Sequence, residues 1–451
     1  MDKQNETSTS LIENPEIAPS NRGQLIDNNL VAAAKAARSR VEISTIMADE
    51  RRIIASFLAR DDYQAVVESR AVATADLMLE CLPAMIRELG GQVAWSMRMS
   101  SGERVNIILH AVEVAGKIHN IMRDGCLFIH LPDELIAIFA TPTYRDKARV
   151  DISVHSSVDS ANFHKRWINY TKKNAYLRGQ VFFADGSIIE RNRTYSWDDI
   201  LLPKTTIKTI RTHVESFLNN RLRLRDMGVK MRRGLILAGP PGTGKTLLGK
   251  VLSDTLNTSF LWVSPRHIRT AESFDEIMTL ARFVAPTVVF LEDLDLFGEN
   301  REEGSWAGLG ELMNQLDGVL DNEDIITIDT TNRLEVIEKA LQNRPGRFDR
   351  IVQIGALDLS CRRRMLKKLL RHAELASMDF DRLIGETDDY TGAQLEELVN
   401  TLYILAIEDA SRARKIVEDK PATVCIDSQL INRAFQECQV ERTTRLGFHV
   451  A

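Results

Sequence analysis

The sequence predicts an α/β fold: a parallel sheet followed by a C-terminal helical lid and preceded by an α+β domain. Three observations predict it. Between about residues 204 and 356, short runs rich in Val, Ile and Leu alternate with amphipathic stretches, the order that builds parallel strands and crossover helices. One of these runs ends in a glycine-rich turn, Gly239–Thr246, that opens directly into an amphipathic stretch. Beyond about Ser360 apolar residues recur at helical spacing, as in "RRRMLKKLLRHAEL", "AQLEELVNTLYILAIEDASRARKI" and "SQLINRAFQECQVERT".

Taken in order, residues 1–27 are polar and without periodicity, the composition of a disordered tail. Residues 28–190 read as a mixed α+β domain. Its first part, "LVAAAKAARSRVEISTIMADERRIIASFLAR" and "YQAVVESRAVATADLMLECLPAMIREL", is expected to be helical. After Gly90-Gly91 the runs "CLFIHL", "LIAIFA", "RVDISVHS" and "GQVFFADG" read as strands. The segment Phe163–Gly179, "FHKRWINYTKKNAYLRG", mixes basic and aromatic residues. That composition suits a single-strand nucleic-acid platform, but a solvated strand pair with inward aromatics is the expected reading, because the chain as a whole is acidic. Residues 191–203 form a linker, 204–356 the parallel-sheet domain and 357–451 the lid with further helices. The expected strands of that sheet are Gly234–Ala238, Ser259–Val263, Thr287–Glu292, Ile325–Thr330 and Ile351–Ile354.

The bulk properties are those of a globular protein. Of 451 residues 44% are hydrophobic and 27% charged, and the formal net charge of -5 supplies no general attraction for nucleic acid or an anionic membrane. No apolar run approaches a membrane span and no leader is recognisable, so a cytoplasmic protein without a membrane partner is expected. The five cysteines show no CxxC spacing and read as reduced thiols.

The turn itself reads Gly239-Pro240-Pro241-Gly242-Thr243-Gly244-Lys245-Thr246, which is GxxxxGK[ST] between a strand and a helix. This is the phosphate loop of a P-loop NTPase fold. Glycines let backbone N–H groups turn inward around phosphate oxygens, and the helix beginning near Lys245 and running on through Leu247 aims its positive end at them. Lys245 is placed to reach the β- and γ-phosphates of ATP, and the Thr246 hydroxyl to ligate Mg²⁺. A second apolar run, "VVFLEDLDLF", ends in Glu292-Asp293. In such a sheet acids at the carboxyl end of a strand face the ligand. One should hold the metal and the next orient and deprotonate water, whether quickly or slowly.

The blocks "SWDDI", "GVKMRRGLILAGPPGTGKT", "APTVVFLEDLDLF", "LMNQLDGV", "IDTTNR", "RPGRFDR" and "YTGAQLEELVN" together resemble the AAA+ ATPases, in the branch with membrane-linked and proteasomal unfoldases. The resemblance covers about Trp197 to Ala410 and implies a homo-oligomeric ring, usually a hexamer, with ATP between neighbouring subunits. It implies that Asn332 is the polar sensor of the γ-phosphate and that Arg344 and Arg347 are arginine fingers entering the neighbour's site. Asp199 and Ile200 resemble the segment near the adenine, with Leu201 where the family usually has Gly. Gly392 and Ala393 resemble small lid residues beside the nucleotide. The Glu-Asp order is similar to that of the mitochondrial translocases of the Rieske iron–sulfur protein, which implies Glu292 at the metal and Asp293 at the water.

Two departures narrow the expected work. After the second strand no aromatic-apolar-Gly motif appears, so the usual element for paddle-like threading of an unfolded peptide is missing from the expected place. A wider-pored or lateral remodeller of a protein client, chosen by the N-terminal domain, and an ATP-gated scaffold without translocation both stay open; a nucleic-acid partner is disfavoured. No HExxH follows the ATPase module, so a fused zinc protease is not expected, and with no apolar run of membrane-spanning length the relatives' membrane anchor is not expected either.

Overall fold

The computed structural model describes residues 52–445, apart from 61–62, 101–102, 106, 115, 144–148, 191, 269, 299–322, 336, 338–348 and 413–422. The expected tail at 1–27 lies outside the described residues, as does most of the first helical run, of which helix α1 (residues 52–58) is seen.

The first unit is a seven-stranded antiparallel sheet. Its strands are β1 (Ala65–Ala71), β2 (Gln92–Ser100), β3 (Glu103–Val105), β4 (Ile108–Val114), β5 (Lys117–His130), β6 (Leu135–Pro142) and β7 (Arg149–Ser156). They lie in the order β1-β7-β6-β5-β2-β3, with β4 pairing β5. Helices α2 (Val72–Glu88) and α3 (Ser160–Asn174) cover one face, and α1 packs Phe57 edge-on against Phe128 on the other. Two expectations are corrected here. Ala65–Ala71 was read into a helix but is strand β1: it pairs antiparallel with β7 (Val66↔Val154, Arg70↔Val150), and this pairing overrides the helical tendency of its Ala-rich flank. The basic-aromatic segment was read as a strand pair but is helix α3. Phe163, Trp167 and Thr171 stand four residues apart, so one helical face buries all three. Asp159 caps that helix by accepting from the N–H groups of Ala161 and Asn162, and the Trp167 indole donates to Met78 O at 2.8 Å. Phe163 and Trp167 are thus spent on the core of the first unit.

The second unit is a six-stranded parallel sheet in the order β13-β9-β12-β11-β10-β8. Its strands are β8 (Val181–Phe183), β9 (Arg232–Ala238), β10 (Ser259–Val263), β11 (Thr287–Leu291), β12 (Ile325–Thr331) and β13 (Arg350–Gln353). All but β8 lie within two residues of the expected bounds. β8 had been assigned to the first domain, yet it extends this sheet by pairing Phe182 with Leu261 of β10. Burial explains the legibility of the rest: β10, β11 and β12 are buried at every residue, which makes continuous apolar runs. One face is covered by α4 (Lys204–Arg211), which continues through a π-helical turn at Thr212–Ser216, and by α5 (Lys245–Thr255). The other carries α6 (Ala271–Phe283), whose Phe274, Ile277 and Met278 join the same core as α2 and α3. The two units therefore share one hydrophobic core. Arg149 pairs with Glu276 of α6, and Arg178 donates to Ala285 O at 2.7 Å across the same junction.

The lid is α7 (Leu359–Leu369), α8 (Ser377–Glu386), α9 (Gly392–Arg412) and α10 (Ser428–Arg445), with a small parallel pair, β14 (Ala373–Leu375) and β15 (Val424–Ile426). Among the described residues no helix is long and apolar enough to cross a membrane.

Candidate functional site

Strand β9 delivers the phosphate loop. Its last residues are buried between β12 and β13, so Gly239 leaves the sheet at a fixed height. A side chain at Gly239 would put a Cβ 1.9 Å from Ile354 O, and one at Gly242 would come 2.7 Å from the Ala393 Cβ; Gly242 also has φ +79°. Both positions need glycine because the loop is squeezed between β13 and the lid. The lid closes the contact from its side, where Ala393 N donates to Gly242 O at 3.1 Å. Helix α5 begins at Lys245, and its first N–H groups point at the loop. The Lys245 ammonium donates to Gly239 O (2.6 Å) and Pro240 O (2.9 Å), while Thr243 Oγ1 donates to Pro240 O at 2.9 Å. Burial lowers the Lys245 pKa, against the charges of Asp293 and Asp295, which raise it.

The acids at the end of β11 are held apart. Glu292 Oε1 accepts from the Thr246 hydroxyl at 3.0 Å, and its Oε2 accepts from the Trp262 indole at 3.0 Å. Asp293 turns the other way. Its φ is +50°, a conformation an Asp adopts at modest cost, and its N–H donates to Thr330 Oγ1 at 2.9 Å. Its carboxylate accepts from Asn332 Nδ2 at 3.2 Å. Burial raises the Asp293 pKa, with added repulsion from Asp295 and Glu292; Lys245 and Asn332 oppose it. The result is a carboxylate more basic than usual. Behind both, buried Asp295 ties the exits of two strands together. It accepts from Thr331 Oγ1 (2.9 Å), Asn332 N (3.1 Å) and Arg333 Nε (3.4 Å).

Residues 235–356 match the model of one family, the ATPase family associated with various cellular activities (AAA). This stretch is an AAA domain. The chain is 32% identical to the ATP-dependent zinc metalloprotease FtsH of Mycoplasmopsis synoviae, over 63% of this chain and 45% of that protein. It is 31% identical to proteasome-activating nucleotidase 2 of Haloferax volcanii, over 50% of this chain and 58% of that one. It thus spans about half the length of these curated relatives. Among solved structures, the FIGL-1 AAA domain in complex with ADP overlays with a TM-score of 0.45 at 21% identity, covering 57% of this chain and 91% of that one.

A cavity of about 580 Å³ opens between the phosphate loop and the lid. It is lined on the loop side by Pro241 through Leu247, on the acid side by Asp293 and Asn332, and on the lid side by Gly392 and Ala393. Asp199, Ile200 and Leu201 line it as well. Ile200 is buried in the core under Gly244, and Leu201 packs on the lid core. Asp199 faces Arg193 and accepts from Ser196, whose N–H is first among the causes holding its pKa down. Gly239, Pro240 and Glu292 sit behind this lining, and Arg344 and Arg347 lie outside the described residues. The donor set fits the expected cation: a hydroxyl and a carboxylate, both hard oxygens, meet at Thr246 and Glu292. The sequence reading missed three participants. Trp262, Thr330 and Asp295 carry no motif of their own, and the one available signal was that a buried indole N–H needs an acceptor.

Proposed function

We propose that the protein is a Mg²⁺-dependent ATP hydrolase that works as a homo-oligomeric ring, a hexamer, and spends the cycle on remodelling a protein client in the cytoplasm. The observation that carries the reading is the division of labour at the end of β11. Glu292 stands at the phosphate-loop hydroxyl, and Asp293 stands at Asn332 with a raised pKa. The backbone N–H groups of the loop and Lys245 would grip the triphosphate. Thr246 and Glu292 would hold Mg²⁺, which would neutralise charge on the β- and γ-oxygens. Asp293 then orients the attacking water and takes its proton, while Asn332 fixes Asp293. Arg344 and Arg347 complete the neighbouring subunit's site, adding positive charge where the transition state spreads negative charge. The first unit is the client-facing part. Its shared core with α6 and the Arg149–Glu276 pair would make it move with the AAA domain.

Mixing two inactive proteins tests the ring. Lys245→Ala should lose nucleotide binding, and Arg347→Ala should bind nucleotide yet turn over poorly. Mixed together, they should regain part of the turnover, because each supplies what the other lacks at a shared interface. No recovery at any ratio, with both proteins folded, removes catalysis between subunits.

A further inference from the structure

Glu292 is gripped on both oxygens by groups from different elements, and one of these has no assigned role. Trp262 lies in β10, in register with Phe290 of β11, and the two rings pack with centroids 4.7 Å apart. The indole is only 6% exposed, so its N–H must find an acceptor inside the fold. It finds Glu292 Oε2 at 3.0 Å, two residues beyond Phe290 on the same face of the sheet. Glu292 N donates to Val263 O at 2.9 Å, which fixes the backbone from which the side chain departs. The remaining oxygen, Oε1, is thereby presented to Thr246 Oγ1 at 3.0 Å. A side chain one methylene shorter at position 292 would not span from the Trp262 indole to the Thr246 hydroxyl.

We propose that Trp262 is a positioning residue of the metal site. Its N–H locks the Glu292 carboxylate in the rotamer that leaves Oε1 beside the Thr246 hydroxyl, where Mg²⁺ would be held. The inference deepens the functional reading above and rests on it. Holding a long, flexible acid in place removes the ordering cost that metal binding would otherwise incur. It also accounts for Glu in the metal position: the longer side chain is the one that reaches a donor on the adjacent strand.

The test is Mg²⁺ support of nucleotide binding, read by titrating MgCl₂ into protein with a fluorescent ADP analogue. Trp262→Phe keeps the ring packing and removes the donor. Its analogue affinity in EDTA should equal that of the wild type, while the Mg²⁺ concentration needed for half the effect rises roughly three- to tenfold. Glu292→Asp should show a similar rise, and adding Trp262→Phe to it should make nothing worse, because the contact is already gone. If Trp262→Phe does not fold, benzothienylalanine at position 262, which has the shape of Trp without the N–H, takes its place. An unchanged or lower Mg²⁺ requirement in the donor-free variant, or additive effects in the double variant, overturns the proposal. A wild type whose analogue affinity ignores Mg²⁺ overturns the metal reading and this inference with it.

Discussion

Two aspartates of the same sheet show how differently its rim and its interior treat charge. Asp295, at the exit of β11, is 2% exposed and accepts from three donors. Asp329, inside β12, is fully buried between Ile236 and Leu291, and among the described residues neither of its carboxylate oxygens has a hydrogen-bond partner. The rim is a closed polar network in which every acid has a defined partner: Glu292 with Thr246 and Trp262, Asp293 with Asn332, Asp295 with the β12 exit. Such a network holds charged groups in fixed directions, which is what chemistry on a phosphate requires. The interior Asp329 has no such partner among the described residues. The same residue type organises the site in one place and costs stability in the other.

The largest expected effect lies at the rim. Asp293→Asn should keep nucleotide affinity and lower ATP turnover by roughly 10²–10⁴-fold, the range a positioned base contributes. Glu292→Gln should instead weaken Mg²⁺ support. If Glu292→Gln stops turnover with binding intact while Asp293→Asn is mild, the two acids exchange roles.

Next in size is the clasp. Asp295→Ala takes their buried acceptor from the Thr331 hydroxyl and the Asn332 N–H and one of its contacts from the Arg333 guanidinium. It should lower unfolding stability by about 2–3 kcal/mol and also reduce turnover, since Asn332 loses its anchor. Chemical denaturation in urea checks the first effect. A variant as stable as the wild type would make the three hydrogen bonds ornamental and erase the contrast with Asp329.

How much of this was legible depended on whether a role is local or paired. Gly242, Lys245 and Thr246 stand in one contiguous run, so the GxxxxGK[ST] pattern and its strand–loop–helix setting are visible without any partner segment. The buried strands β10 to β12 are continuous apolar runs and were placed to within a residue or two. β8 was assigned elsewhere because three residues acquire strand identity only by pairing with Leu261 and its neighbours. The same holds for β1, whose partner β7 lies some eighty residues away. In α3 the Phe163–Trp167–Thr171 period was present, but the basic residues between them drew attention to composition over spacing. Trp262, Thr330 and Asp295 act through the register of adjacent strands, which no single run of residues displays.

The smallest effect is the most diagnostic, because its sign is opposite. Burial without a partner raises the Asp329 pKa well above the usual carboxylate range. The folded chain therefore keeps this proton at pH values where the unfolded chain has released it. Below about pH 4, the ordinary aspartate value, both states are protonated and the group adds no pH dependence. As pH rises past that value the unfolded state gains by ionising, so this group's contribution to stability falls with increasing pH up to the folded pKa. Asp329→Ala removes both the unpartnered carboxyl and this slope. The variant should be more stable than the wild type by about 1–2 kcal/mol near neutral pH, with the advantage shrinking toward pH 4. Melting temperatures measured in parallel from pH 4 to 8 decide it. A variant that loses stability, or gains it equally at every pH, would mean that Asp329 has a partner in solution, and the interior of the sheet would then follow the same rule as its rim.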